Sequence, residues 1–119
     1  ALHFSEDFIV FEKNSISSTM GTAMLDWLEE HPEITTFVVV GVCTDICVFE
    51  LAMDLRMRAN ARGEEGVRVI VPADCVQTYD TPVETAAEMG AMPHDGDLLH
   101  RIFLYQMALN AIEVVGHIE

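Results

Sequence analysis

Cys47 is the residue of this sequence whose type and position are best suited to chemistry. It comes just after an apolar, β-branched run at residues 35–42 and stands in the first turn of the helix predicted to follow. Free N–H groups and the positive end of the helix dipole stabilise a thiolate there, and the thiolate is the nucleophilic form of cysteine. The alternative is an inert, buried thiol, because free cysteine is among the most buried residue types.

Lys13 and Asp74 follow two other predicted strands, at residues 8–11 and 67–71. In an open α/β sheet, ligands bind at the carboxyl ends of the strands, so both side chains are candidates for the same site. Lys13 is the single lysine of the chain, and a cation beside Cys47 would stabilise its thiolate. On its own, a lysine at a strand end is more simply interpreted as solvated.

The remaining cysteines and histidines give weaker signals. Cys43, Cys47 and Cys75 lack the paired short spacings of a structural zinc site, and three cysteines do not describe a disulfide framework. His94 and His100, six positions apart, are interpreted as a loop residue and a half-exposed helix residue. No glycine-rich phosphate cradle is present, which argues against a nucleotide enzyme. The sequence therefore predicts no metal site.

Strands and helices alternate along the chain. Strands are predicted at residues 8–11, 35–42, 67–71 and 112–115, with helices starting near residues 19, 45, 81 and 98. The continuous apolar run at 35–42 is typical of a central parallel strand buried on both faces. This alternation predicts an α/β fold with a parallel sheet between helices, in one domain over residues 1–119.

The sequence also predicts the N-caps of two helices and the surroundings of the last helix. Asp45, or Thr44, is the predicted N-cap of the second helix, and Asp97 that of the last one. The last helix, residues 98–109, is apolar nearly all round, so we expect it to be covered both by the sheet and by a second surface. A homo-oligomer would supply that second surface.

The composition excludes several classes of protein. The chain has 119 residues, half of them apolar, and its mean hydropathy of +0.26 excludes intrinsic disorder. Twenty acidic against six basic residues give a net charge of −14, which would repel nucleic acids and anionic membranes. The longest apolar run is too short to cross a bilayer, and the start lacks the basic region of a signal peptide. A soluble cytoplasmic protein is therefore expected.

Residues 39–48, VVGVCTDICV, resemble the nucleophile motif of the isochorismatase-like cysteine hydrolases, which include nicotinamidases and N-carbamoylsarcosine amidases. The motif is accompanied in order by Lys13, by Ser17 and Gly21-Thr22, and by residues 69–74, VIVPAD. The match extends over about residues 8–85. The resemblance implies a three-layer α/β/α Rossmann-like fold with a parallel sheet, of which this chain is the C-terminal portion without the N-terminal strands.

The resemblance also implies a role for each matched residue. Cys47 is the implied nucleophile, which attacks an amide-type carbonyl to give a thioester that water then hydrolyses. Lys13 would stabilise the thiolate and help to orient the acid/base group. The peptide bond between Val42 and Cys43 would be cis, and the N–H groups of Cys43 and Cys47 would face the developing oxyanion. The supporting residues would be Thr44, Asp45 and Asp74.

The function implied is hydrolysis of the C–N bond of a small carboxamide or carbamoyl compound, which would be the protein's partner. Isochorismate-type vinyl ether cleavage is an alternative, although that reaction does not require the nucleophile. A non-catalytic binding or scaffold protein of the same fold is another. Thiol reactivity separates these classes, because only a thiolate at Cys47 would be alkylated much faster than the other cysteines.

Two departures from the family pattern shape the expectations. The acid/base aspartate of the family and the metal ligands of nicotinamidases precede the lysine segment, and Asp7 is too close to the first predicted strand to be that aspartate. We therefore expect the aspartate upstream of Ala1, together with any divalent metal site. No cofactor is expected within these 119 residues, which alone should have little activity. Thr19 occupies a position where the family often has an aromatic pocket wall.

Overall fold

The computed structural model describes residues 8–118. Strands and helices alternate through most of this part of the chain. In order they are α1 (Met24–Glu30), β1 (Thr36–Val38), β2 (Gly41–Val42), α2 (Phe49–Ala61), β3 (Arg68–Pro72), β4 (Val76–Gln77), α3 (Val83–Met89), α4 (Gly96–Leu109) and β5 (Glu113–Val115). A π-helical turn, Thr44–Val48, leads into α2, and a 3₁₀ turn, Ala73–Cys75, separates β3 from β4.

The sheet is parallel, with β3 at its centre. Strand β1 pairs with β3 in the register Phe37 to Val69, and β5 pairs with β3 in the register Val71 to Val114. Strands β2 and β4 form a second parallel pair, which begins where Gly41 faces Val76. Helix α2 between β2 and β3, helices α3 and α4 between β4 and β5, and the parallel pairing confirm the predicted α/β fold class.

The core lies between the sheet and the helices packed on it. Alternate strand residues such as Val69 and Val71 are completely buried, because they face the apolar side of α2. Met107 of α4 and Leu28 of α1 complete the same cluster. This packing fixes α2 over the sheet, and the position of the helix in turn fixes the turn that precedes it.

The prediction of a strand at residues 8–11 is wrong. This segment is irregular, and the side chains of Phe8, Ile9 and Val10 are more than half exposed. Phe11 instead packs its ring edge-on against Trp27 of α1, with 5.9 Å between the ring centroids. The physical reason is that no strand in residues 8–118 pairs with this segment, and β propensity alone does not hold a strand without a partner.

The strand predicted at residues 35–42 is two strands, β1 and β2, and is not buried on both faces. Val38 and Val40 are 47% and 57% exposed, whereas Val39 between them is 5% exposed. The ladder is interrupted because β3 ends at Pro72 and its neighbouring segment turns through Ala73–Cys75 before pairing resumes at β4. Gly41, with a φ of +128°, supplies the backbone conformation at the restart.

The last helix differs from its prediction in two respects. Its N-cap is Asp95 and not Asp97, because the carboxylate of Asp95 accepts a hydrogen bond from the N–H of Leu98. One side of α4 packs into the core through Met107, while several apolar side chains on the helix stay exposed, namely Leu98, Ile102, Tyr105 and Leu109. The homo-oligomer stays a prediction. Among the described residues, no helix is long and apolar enough to cross a membrane.

Candidate active site

Cys47 lies in the Thr44–Val48 turn, which joins the carboxyl end of β2 to the start of α2. The N–H groups of Ile46 and Val48 both donate to the carbonyl oxygen of Cys43, each at 3.1 Å. The side chains of Thr44 and Val48 are buried, whereas Cys47 is half-buried. The turn is thus anchored on both sides of Cys47, a residue that is partly exposed to solvent.

The two other cysteines differ from Cys47 in their surroundings. Cys43 is half-buried, and the peptide bond that joins it to Val42 is cis, as the resemblance implies. Cys75 is exposed, and its Sγ lies 3.4 Å from Oδ1 of Asp74. The hydrogen bond to the Asp74 carboxylate, with smaller contributions from burial and charge, raises the pKa of the Cys75 thiol. Cys75 is therefore a poor nucleophile at neutral pH.

Asp45 does not cap the helix, and neither does Thr44. The N-cap position belongs to Cys43, where no side chain accepts a hydrogen bond. The carboxylate of Asp45 points instead to His94, with Oδ2 2.7 Å from Nε2. Burial raises the pKa of Asp45, but Thr78, His94 and its own N–H stabilise the carboxylate more, so the net pKa is lowered. Asp45 is thus a carboxylate that pairs with His94 and not an N-cap.

His94 is fixed by several contacts. Its Nδ1 lies 2.8 Å from the carbonyl oxygen of Tyr79, and its ring stacks on the Tyr79 ring with centroids 3.9 Å apart. Its backbone pairs with Thr81 through two hydrogen bonds. Burial lowers the pKa of His94, but the hydrogen bonds and the charges of Asp45 and Asp80 outweigh it and raise the net pKa.

His100 contacts the same turn from α4. Its Nδ1 lies 2.8 Å from Oγ1 of Thr44, which is fully buried. Two histidines that sequence reasoning left without a role therefore hold consecutive residues of the Cys47 turn. No local signal could have found these contacts, because the partners are 49 and 56 positions apart.

Lys13 is exposed, and its Nζ donates to the carbonyl oxygen of Ile16 at 2.9 Å. Among the described residues, no hydrogen bond joins it to Cys47. Its segment is nevertheless attached to α2, where the N–H of Ser18 donates to Glu50 and the buried hydroxyl of Thr19 donates to Asp54. Thr19 is thus an anchor for the Lys13 segment.

Asp74 is exposed in the turn between β3 and β4. It lines a shallow cavity together with Gly41, Val42 and Cys75. The structure thus places Asp74 beside the strand that leads to Cys47, at the carboxyl end of the sheet, as the sequence predicts.

Residues 1–96 match the isochorismatase domain family. The chain belongs to the isochorismatase family. This isochorismatase-family chain is 34% identical over 106 residues to Nicotinamidase 1 of Arabidopsis thaliana, an alignment that covers 87% of the chain and 43% of the relative.

Solved structures extend the comparison. A nicotinamidase from Staphylococcus aureus is 25% identical with a TM-score of 0.64, over 91% of this chain and 53% of that one. A cysteine hydrolase from Pseudomonas syringae pv. phaseolicola has a TM-score of 0.68 at 22% identity, over 95% and 47% of the two chains, and shows the fold alone. The isochorismatase-family chain spans about half the length of these relatives.

A divalent metal is the cofactor that a nicotinamidase-like function would imply. Within residues 8–118 of the isochorismatase-family chain, no group of three or more His, Cys, Asp or Glu side chains could hold a metal ion. The described residues therefore do not fit a metal centre, and the chemistry of the site is derived from Cys47 and its neighbours.

Proposed function

We propose that this isochorismatase-family protein hydrolyses the C–N bond of a small amide or carbamoyl compound, with Cys47 as the nucleophile. The observation that carries the proposal is the half-buried Cys47 thiol, held at the junction of a strand's carboxyl end and a helix start. The 34% identity to a protein named Nicotinamidase 1 supports the substrate class and makes nicotinamide the first compound to test.

The reaction follows from the nucleophile. The thiolate sulfur of Cys47 attacks the amide carbon, a C–S bond forms, and the carbonyl electron pair moves onto oxygen. The N–H groups of Cys43 and Cys47 are the proposed donors to that oxyanion. When the oxyanion collapses, the C–N bond breaks and the nitrogen takes up the proton that the Cys47 thiol lost on forming the thiolate, so that a primary amide releases ammonia. Water then hydrolyses the thioester to a carboxylic acid and restores the thiol.

The neighbouring side chains have supporting roles in this proposal. Lys13 supplies a cation that stabilises the thiolate. Asp45 is committed to His94 and, with Thr44, holds the turn, so the proton for the leaving group comes from a group other than Asp45. Asp74 lines the cavity beside Val42 and is a contact for the substrate.

Ammonia release from a panel of small amides, including nicotinamide, tests this function on the full-length protein. We expect one or more amides to be hydrolysed. Iodoacetamide should abolish this activity in parallel with alkylation of Cys47, as peptide mass spectrometry would show, while Cys43 and Cys75 stay largely unmodified. Absence of turnover together with equal labelling of the three cysteines would contradict the proposal and favour a scaffold protein.

A further inference from the structure

Both ring nitrogens of His94 face atoms that can only accept hydrogen bonds. Nδ1 lies 2.8 Å from the backbone carbonyl oxygen of Tyr79, which has no proton to donate. Nε2 lies 2.7 Å from Oδ2 of Asp45, whose pKa is lowered, so that it is a carboxylate at neutral pH. A neutral imidazole carries one N–H and could satisfy only one of these acceptors. Only the doubly protonated ring satisfies both.

We propose that His94 is a positioning residue for Cys47: as an imidazolium it ties Asp45 of the Cys47 turn to the backbone of Tyr79, so that loss of its proton loosens the turn. This inference rests on the proposed function for its catalytic meaning. The bridge itself rests on the geometry of the three residues alone.

The support on the far side of the bridge is held by several contacts. His94 is stacked on the Tyr79 ring and paired through its backbone with Thr81. The next turn of chain is also fixed, because the N–H of Gly96 donates to Asp80 and a Cβ at Gly96 would lie 2.6 Å from the Tyr79 carbonyl oxygen. Because these contacts hold the Tyr79 side, we expect a change in the bridge to displace Asp45.

The turn transmits that displacement to the thiol. Asp45 is two residues before Cys47, and both lie in a segment whose N–H groups converge on the carbonyl oxygen of Cys43. A shift of Asp45 therefore moves the Cys47 thiol together with the backbone N–H groups proposed for the oxyanion. A misplacement of about 1 Å can cost on the order of a hundredfold in rate.

The charges around His94 favour the protonated ring. The carboxylates of Asp45 and Asp80 both face it, and the ring of Tyr79 covers one of its faces. Both carboxylates raise the pKa of His94, although burial works against them. The pKa of His94 is thus raised above the ordinary value of histidine, and the switch from imidazolium to imidazole moves to higher pH with it.

Two readouts on the full-length protein test the bridge without any amide substrate. The first is ¹⁵N NMR of histidine-labelled protein, in which the His94 signals are assigned by their loss in His94→Gln. The second is the iodoacetamide labelling rate of Cys47 as a function of pH in wild type, His94→Gln and His31→Gln. Glutamine at 94 keeps a neutral donor toward Asp45 at every pH. His31 is the matched control, because its Nδ1 also pairs with a carboxylate, Glu33, at 2.9 Å.

We expect both His94 nitrogens to be protonated at pH 7. We also expect the wild-type labelling rate, divided by that of His94→Gln, to fall about tenfold through the His94 midpoint. His31→Gln keeps His94, so its labelling rate divided by that of His94→Gln should fall as the wild-type ratio does. If His94→Gln does not fold, Asp45→Asn serves instead, because it should move the His94 midpoint and the labelling step together to lower pH.

A singly protonated His94 at pH 7, or a labelling ratio that stays flat through its midpoint, would overturn the inference. Failure of the wild type to hydrolyse any amide would overturn the proposed function but would leave both readouts on His94 intact. The two failures are therefore distinguishable.

Discussion

Oγ1 of Thr44 lies 2.8 Å from Nδ1 of His100, a residue 56 positions later in the chain. The next residue of the turn, Asp45, is held by His94 in the same way. The C-terminal third of the chain thus fixes the turn that carries Cys47. The position of the thiol depends on the loop before α4 and on α4 itself as much as on the β2 strand that precedes it.

Thr44→Val tests the first of these contacts. Valine keeps the size of threonine but removes the hydroxyl, so His100 loses its buried partner. We expect the free energy of unfolding to fall by about 1–3 kcal/mol in urea titrations. Thr36→Val, at an exposed position on β1, is the matched control and should change it by less than about 0.5 kcal/mol. Equal effects of the two substitutions would show that the hydrogen bond contributes nothing.

The Asp45–His94 pair should stabilise the fold over a limited pH window. Because the pKa of His94 is raised by folding, the protonated ring stabilises the folded state. This stabilisation is complete below the ordinary pKa of 6.5 and is lost as the pH rises through the pKa of the folded state. Because the pKa of Asp45 is lowered by folding, its carboxylate also stabilises the folded state. This stabilisation is present above the ordinary pKa of 3.8 and is lost as the pH falls through the pKa of the folded state. The stability difference between wild type and His94→Gln should therefore be largest between about pH 4 and 6.5. Urea midpoints of the two proteins measured from pH 3 to pH 9 test this window. A stability difference that does not change with pH would contradict it.

Glu50 should destabilise the fold when it is ionised. Burial and a hydrogen bond with the neighbouring carboxyl of Asp54 raise its pKa above 4.5, so stability is lost as the pH rises through that range. Glu50→Gln is expected to increase the free energy of unfolding at pH 8 by up to about 1 kcal/mol, with a smaller gain at pH 4. Glu65→Gln, at an exposed loop position, is the control and should leave the free energy of unfolding unchanged at both pH values. A loss of stability in Glu50→Gln at pH 8 would contradict the assignment.

Gly96→Ala should disturb the support of His94. Its Cβ would lie 2.6 Å from the Tyr79 carbonyl oxygen, so that the backbone must shift, at a cost of about 1–3 kcal/mol. Gly66→Ala is the control, because a Cβ there meets nothing within 4 Å. Thermal unfolding would measure both, and a Gly96→Ala protein as stable as the control would contradict the close approach.

Self-association is the remaining prediction from the sequence. The exposed apolar side chains of α4, among them Tyr105 and Leu109, favour burial against a second copy. Sedimentation of the 119-residue chain at low micromolar concentration should give a mass above 13.2 kDa. A single 13.2 kDa species would refute the prediction.

Local signals in the sequence predict much of the fold. The apolar runs and the turn residues between them indicate the alternation of strands and helices and the position of Cys47 after a strand. They do not reveal which faces are covered, because burial of Val38 and Val40 depends on what packs on the sheet and not on their own hydrophobicity. The strand predicted at residues 8–11 fails for a related reason, since a strand needs a partner as well as β-forming residues.

The candidate site is predictable at its centre and not at its supports. The motif around Cys47 is contiguous, and the resemblance therefore finds it. Asp45 looks like an N-cap when only its neighbours in the sequence are considered. Its true partner is His94, which the tertiary fold brings to it across 49 positions. Contacts of this kind leave no local pattern.

Ammonia release from nicotinamide and related amides by the full-length protein, compared among wild type, Cys47→Ala and Cys75→Ala, tests the central claim most directly. Cys75 is the matched control, because its exposed thiol is paired with Asp74. We expect Cys47→Ala to lose turnover to background, while Cys75→Ala, which changes only the cavity lining beside Asp74, keeps turnover well above background. Turnover by Cys47→Ala at the wild-type rate would show that Cys47 is not the nucleophile.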